Sequence, residues 1–212
     1  MSIKTKYALV GLMFCSPVVL AENYTVESSV TLASQYLFRG FDMTQDNPAV
    51  QGDYIISNEQ GFWFGAWASN YDIGSDDGVE IDIIGGYNIA LSDEVTLGFG
   101  FTEYTYTGEV DSSTEYNVSI SYNQFSLSYY DDVDLNTTYI SLDSEFQLSD
   151  EMTVAFHLAE YDYESADSSR DYSATLNYSM NEDLSVSGTY SVNDIGMPGA
   201  ENYFVASISY SF

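Results

Sequence analysis

Basic residues are almost missing from this chain: 212 residues include four Lys or Arg against 33 Asp or Glu. Lys4 and Lys6 precede every acidic residue, so after Ala21 only Arg39 and Arg170 oppose the whole negative charge. Nucleic-acid binding is thereby excluded, since it needs clustered Lys and Arg to neutralise phosphate. The single cysteine, Cys15, lies near the start and leaves no disulfide to hold the rest together. A single histidine, His157, sits mid-segment without a Gly-x-Ser-x-Gly or comparable nucleophile setting, so no catalytic constellation is legible. No apolar run reaches the ~20 residues that a spanning helix requires. Disorder is excluded in turn, because 20 Tyr and 12 Phe supply ample apolar surface.

What is present is alternation. Phe204, Ala206, Ile208, Tyr210 and Phe212 interleave with Val205, Ser207, Ser209 and Ser211, ending on an aromatic residue. The same period of two runs through Val95, Leu97, Phe99, Phe101, through Tyr116, Val118, Ile120, Tyr122 and through Tyr172, Ala174, Leu176, Tyr178. Between the apolar residues stand Ser, Thr, Asn and Gly, which do not make a dry core. Apolar outside and polar inside is the inverted pattern of a membrane barrel, whose strands meet lipid on one face and a wet or packed interior on the other.

The start of the chain agrees with export. Lys4 and Lys6 precede an apolar run from Tyr7 to Phe14, and Val19-Leu20-Ala21 has the small-residue pattern of a signal-peptidase site. Residues 1–21 therefore read as a cleaved signal peptide and 22–212 as one domain. Phe14 directly before Cys15 is too bulky for lipoprotein processing, which removes that alternative.

Breaks between the alternating segments come in two kinds. Short ones fall at 58–61, 90–94, 123–124, 148–151 and 181–183, and longer acidic ones at 40–48, 72–78, 107–113, 131–136, 163–170 and 193–201. Their strict alternation predicts an all-β, antiparallel up-and-down transmembrane barrel of about twelve strands with periplasmic turns, extracellular loops and both termini periplasmic. Ten strands is the alternative, because 131–136 is short for an outer loop and the facing of Trp63 to Tyr71 is ambiguous.

Phasing each strand from its apolar face turns Arg39, Asp53, Glu80, Asp82, Glu115, Asp143, Glu145 and His157 toward the lumen. Such a lining favours cations and neutral polar solutes over anions. Tyr104, Tyr106, Tyr130, Tyr139, Tyr161 and Tyr163 phase inward near the extracellular strand ends, where they form a candidate aromatic collar whose ring faces attract organic cations. The plainer account is that tyrosine is a good amphipathic residue where strands protrude from the bilayer. Arg39 has Glu80 or Asp82 as candidate partners, and Arg170 has Asp167 or Asp171. Acidic stretches at Asp72, Asp76, Asp77 and at Asp131, Asp132, Asp134 offer hard oxygen ligands, but neither completes a dedicated metal loop. No catalytic residue, cofactor or metal site is expected.

One stretch also carries a resemblance. The run SQYLFRGFDMTQDNPAVQGD from Ser34 to Asp53, then GFWFGAWASNYD from Gly61 and VEIDIIGGY from Val79, resembles the TorF family of outer-membrane porins, a proteobacterial family long without an assigned function. The match is densest between Val30 and Tyr87. It implies a barrel and a pore, by association with respiration on trimethylamine N-oxide, and it supplies no catalytic residues. The expectation is a Gram-negative outer-membrane porin passing small hydrophilic solutes, with a lean toward cations or zwitterions such as methylated amines. A filled structural or adhesive barrel is the alternative, and an outer-membrane enzyme a more distant one. Implied partners are outer-membrane lipid, lipopolysaccharide, the barrel assembly machinery and small solutes, with oligomeric state left open.

Overall fold

The computed structural model describes residues 18–21, 24–163, 166–194 and 200–212. Twelve strands carry the fold: β1 (Tyr24–Ala33), β2 (Ala49–Asn58), β3 (Phe62–Asp72), β4 (Asp77–Ala90), β5 (Val95–Tyr106), β6 (Ser113–Tyr122), β7 (Phe125–Asp132), β8 (Thr137–Gln147), β9 (Met152–Tyr163), β10 (Ala166–Ser179), β11 (Leu184–Asp194) and β12 (Glu201–Ser211). Each pairs antiparallel with its sequence neighbour, and β12 pairs with β1, Ser211 opposite Ser29 and Ser207 opposite Ala33. The sheet therefore closes into a barrel, with no helix among the described residues. Twelve strands, not ten, is the outcome, and residues 133–136 are a true connection between β7 and β8. The expected signal peptide lies outside the described residues except for Val18–Ala21, which pair antiparallel with the beginning of β1.

Register follows from the alternation. Leu127, Tyr129, Ile140, Leu142, Phe156 and Leu158 all point outward and are exposed, while Ser126, Ser128, Ser141 and Asp143 on the opposite parity are buried. A continuous outer surface of this kind is stable only against hydrocarbon. An 11-residue strand such as β8, at ~3.3 Å per residue and tilted ~45°, spans about 25 Å, the height of such an apolar band. Exposed aromatics mark both edges: Phe62, Tyr122, Phe125, Tyr210 and Phe212 toward the short-turn rim, and Tyr116, Tyr172, Tyr190 and Phe204 toward the other. The facing of β3 is also clear: Phe62 and Phe64 are exposed, and Trp67, Ser69 and Tyr71 lie on the inner parity.

One connection is much shorter than the sequence led us to expect. β9 runs to Tyr163 and β10 starts at Ala166, with Tyr163 opposite Ala166, so most of 163–170 is strand. Others, such as 72–78 and 193–201, lose only a residue or two at each end to the flanking strands. Polar residues above the apolar band need no outward hydrophobic face, because backbone ladder bonds and water satisfy them, and hydropathy is blind to where such a strand ends.

The first long connection, residues 34–48, does not stand away from the barrel. Leu37–Phe38 and Phe41–Asp42 form a two-rung hairpin, Phe38 opposite Phe41, whose turn residues Arg39 and Gly40 have φ of 50° and 79°. Two consecutive left-handed residues define the tight hairpin turn that glycine favours. Its stem is held by the Met43 amide donating to the Tyr36 carbonyl and the Asp72 amide donating to the Met43 carbonyl. Tyr36, Gln35 and Thr44 are buried, Thr44 completely.

Candidate functional site: an acidic lumen crossed by a hairpin

The hairpin leaves the wall between β1 and β2 and its tip touches the wall opposite. Arg39 Nη2 donates to both carboxylate oxygens of Glu115 on β6, each at 2.7 Å. Its guanidinium carbon lies 4.2 Å from the Tyr139 ring centre and 5.2 Å from those of Tyr130 and Tyr161. These distances are within cation–π range. Beside it, Phe38 meets Tyr104 edge-on at 5.8 Å, and Tyr36 packs on Trp67 at 5.2 Å. Gly40 rests on β10 and β11, where a Cβ would fall 2.8 Å from Asp171 Cβ and 3.0 Å from Asn193 Cβ. Burial opposes the Arg39 charge, but Glu115 and the surrounding groups outweigh it and raise its pKa.

The collar tyrosines are thus brought together, around the protein's own arginine. Tyr104 donates to Glu115 Oε1 at 3.1 Å and Tyr106 to Glu80 Oε1 at 3.0 Å. Tyr161 packs against Tyr163 at 4.5 Å, and Tyr163 shares a hydrogen bond with Ser169. Among Phe38, Arg39, Tyr104, Glu115, Asp132 and Tyr161 lies a cavity of about 40 Å³, room for a few waters.

Next to the collar lies a second polar cluster. His157 Nδ1 is 2.5 Å from Asp143 Oδ1 and its Nε2 is 2.9 Å from Asp171 Oδ1, with the Tyr139 hydroxyl 2.8 Å from the same nitrogen. Tyr139 donates to Asp171 as well. Carboxylates on both ring nitrogens call for a hydrogen on each, so the ring is an imidazolium clamped between β8 and β10. With both nitrogens engaged, His157 has no free edge for acid–base work.

The other inward residues sort by height. Glu80 and Asp82 on β4 are buried, and Glu80 Oε2 and Asp82 Oδ1 have no hydrogen-bond partner among the described residues. Asp53 accepts from the Ser29 hydroxyl across β1 and β2. Glu145 shares the inward parity of Asp143 but is exposed, near the short-turn rim where Ser119, Ser187 and Asn117 are half-buried. The lumen is therefore packed toward the long-loop end and lined with small polar side chains toward the other.

Several expected pairings are corrected. Arg39 pairs with Glu115, not with Glu80 or Asp82, because it sits at a hairpin tip that crosses the barrel and not on the wall beside β4. Arg170 pairs outside with Glu160 at 2.7 Å, and Asp171 points the other way, to His157. Phasing from the exposed Tyr172 contains this answer: Asp171 falls inward and Arg170 outward. The acidic loop stretches spend their oxygens on backbone. Asp76 accepts from Tyr71 and the amides of Glu109 and Val110, and Asp132 from the amides of Asp134 and Leu135. No group of three or more His, Cys, Asp or Glu among the described residues is arranged to hold a metal ion. Tyr36, Phe38, Trp67 and Asn193 complete the site without having been assigned to the lumen from the sequence, and Asp132 and Asp171, named there for a loop stretch and for Arg170, belong to it as well.

Residues 20–205 match the model of a family described as "Bacterial protein of unknown function (Gcw_chp)". The chain belongs to this family. Among curated proteins none matches its sequence. Solved structures share the fold of this Gcw_chp member at low identity. The KdgM porin superposes with a TM-score of 0.66 at 11% identity, covering 88% of this chain and 99% of that one. KdgM has also been solved in complex with disordered oligogalacturonate. The NanC porin gives 0.62 at 12% identity, over 86% of this chain and 98% of that one. An outer membrane channel from Pseudomonas putida F1 gives 0.54 at 8%, over 92% and 96%. At such identities the likeness speaks to the fold.

Proposed function

We propose that this Gcw_chp member is an outer-membrane pore for small cations and neutral polar solutes, narrowed toward the outside by the Arg39 hairpin. The observation that carries the reading is the charge of the inner wall. Glu80, Asp82, Glu115, Asp132, Asp143 and Asp171 are buried there, opposed only by Arg39 and His157 among the described residues. Fixed carboxylates between low-dielectric walls focus a negative field that draws cations and turns anions away. The fold shared with KdgM and NanC supports a channel, but a polyanion such as oligogalacturonate is the wrong partner for this lining. The resemblance to the TorF family supports the outer-membrane location and makes methylated amines the first organic solutes to try. The signal-like residues 1–21 support export, with maturation near Glu22.

Liposome swelling tests the reading. Vesicles carrying the refolded protein should swell in arabinose and in glycine betaine faster than in sodium galacturonate, whose anion is repelled. Equal or faster swelling in galacturonate would reject the charge argument. A second reading, a filled and non-conducting barrel, is favoured by the packing of the hairpin against the tyrosines; no swelling in any solute would support it.

A further inference from the structure

We propose that the wall formed by Tyr130, Tyr139, Tyr161 and Glu115 is a binding site for a small planar organic cation of the guanidinium class, and that Arg39 is its tethered occupant. The site is built from buried groups: Tyr139 and Tyr161 are 5% and 9% exposed, and Glu115 is 3% exposed. Three ring faces surround one guanidinium while a single carboxylate takes Nη2 with both oxygens. Ring faces attract charge without fixing which molecule carries it, and a planar, weakly hydrated guanidinium stacks on them at a lower desolvation cost than an ammonium. All four wall residues lie on strands β6 to β9, whereas the cation arrives on a connection outside the strand ladder. The carboxylate and three of the four rings around the guanidinium therefore belong to the wall, the fourth, Phe38 at 4.8 Å, coming with the hairpin; a wall that holds most of the contacts by itself is what separates a binding site from an internal ion pair.

Acceptors remain beside the site even when Arg39 fills it: Glu80 Oε2 and Asp82 Oδ1 are buried and lack a hydrogen-bond partner among the described residues. A free cation entering from the solvent thus finds oxygen acceptors there before Arg39 leaves Glu115. Its competitor is held at the millimolar or higher effective concentration that a short tether provides. Occupancy by the free ligand would release the hairpin tip from Glu115 and from Asp171 and Asn193, linking the cation to the width of the lumen. That consequence rests on the pore reading, whereas the binding itself does not.

The test is calorimetric titration of methylguanidinium chloride into the refolded full chain in detergent, using the unaltered protein, Arg39→Ala and Arg39→Gln. Both variants should bind one equivalent, and the unaltered protein at least about tenfold more weakly, because the tether competes. Adding Glu115→Gln to Arg39→Ala should weaken binding about tenfold, by removal of the charge-assisted hydrogen bonds. Heat-modifiable electrophoretic mobility reports that each barrel is closed. Equal affinity with and without Arg39, or unchanged affinity after loss of Glu115, would overturn the site. A barrel that binds methylguanidinium but never conducts would support the site and reject the pore. One that conducts while neither Arg39 variant binds would do the reverse.

Discussion

Gly40→Ala separates a docked hairpin from a passive loop. Gly40 has φ of 79°, and its added methyl would sit 2.8 Å from Asp171 Cβ and 3.0 Å from Asn193 Cβ. Holding an L-residue in the left-handed region costs ~1–2 kcal/mol. Forcing a carbon into wall atoms well inside the normal 3.5–4.0 Å contact adds roughly 1–3 kcal/mol. The first cost belongs to the hairpin turn and is present docked or undocked, whereas the contact, about 2 kcal/mol, is felt only while the tip is docked. Docking should therefore weaken about thirtyfold, while the twelve-strand ladder, which Gly40 does not join, keeps its stability. Single-channel recording in a planar bilayer reads this as more frequent and longer excursions to a larger current level. Open levels and dwell times unchanged in Gly40→Ala would refute the claim that the tip lies against β10 and β11.

Three further outcomes follow from the same geometry. Only Arg39 and Arg170 are tryptic sites after Ala21, and Arg39 is 9% exposed in its side chain against 64% for Arg170; limited trypsin should cut at Arg170 alone, and Glu115→Gln, which breaks a buried pair worth ~3–5 kcal/mol, should make cleavage after Arg39 appear. Mass spectrometry showing Arg39 uncut in Glu115→Gln, while Arg170 is cut, would contradict the pairing. Leu142→Arg, on the lipid side of β8, should destabilise the barrel by ~2–4 kcal/mol in urea unfolding from lipid vesicles, and a change under 1 kcal/mol would mean that this face does not meet hydrocarbon. The Tyr71 hydroxyl, followed by the Glu109 and Val110 amides, holds the Asp76 carboxyl below its usual range; a group depressed on folding contributes above its unfolded pKa and loses that contribution as pH falls through the folded one. Protection factors of the Glu109 and Val110 amides, measured against the intrinsic exchange rate at each pH, should accordingly stay high at neutral pH and fall on acidification below the usual carboxylate range, with Asp76→Asn already low at neutral pH and a pH-independent protection factor as the contrary result.

How much of this was legible in the sequence depends on which interaction decides each element. Strand rhythm was legible because lipid imposes it: Leu127 and Tyr129 must face out, which fixes Ser126 and Ser128 inside and, by continuation, the whole register. Short and long breaks were legible for the same reason, since the chain must turn where the apolar band ends. Loop ends above the band were not, because nothing outside hydrocarbon forces β9 to stop before Tyr163. The folding of 34–48 into the lumen was least legible, being decided by contacts with eight strands remote in sequence or across the barrel and by no local pattern. A signal was nevertheless there. An arginine and a glycine flanked by Phe38 and Phe41 spell a tight hairpin, and in a chain with one other Lys or Arg after Ala21, an arginine between aromatics has reason to go where the carboxylates are. The collar tyrosines were found by parity, but parity cannot say that Arg39 fills the space between them.

The central claim, a cation-preferring passage through an acid-lined barrel, is tested most directly by the zero-current potential across a planar bilayer holding the refolded mature protein under a potassium chloride gradient. The account predicts a potential of the sign set by potassium, moving toward zero when Asp132→Asn and Glu145→Gln remove charge from the wall. A potential of the opposite sign, set by chloride, or no current from a barrel shown to be inserted, would contradict it.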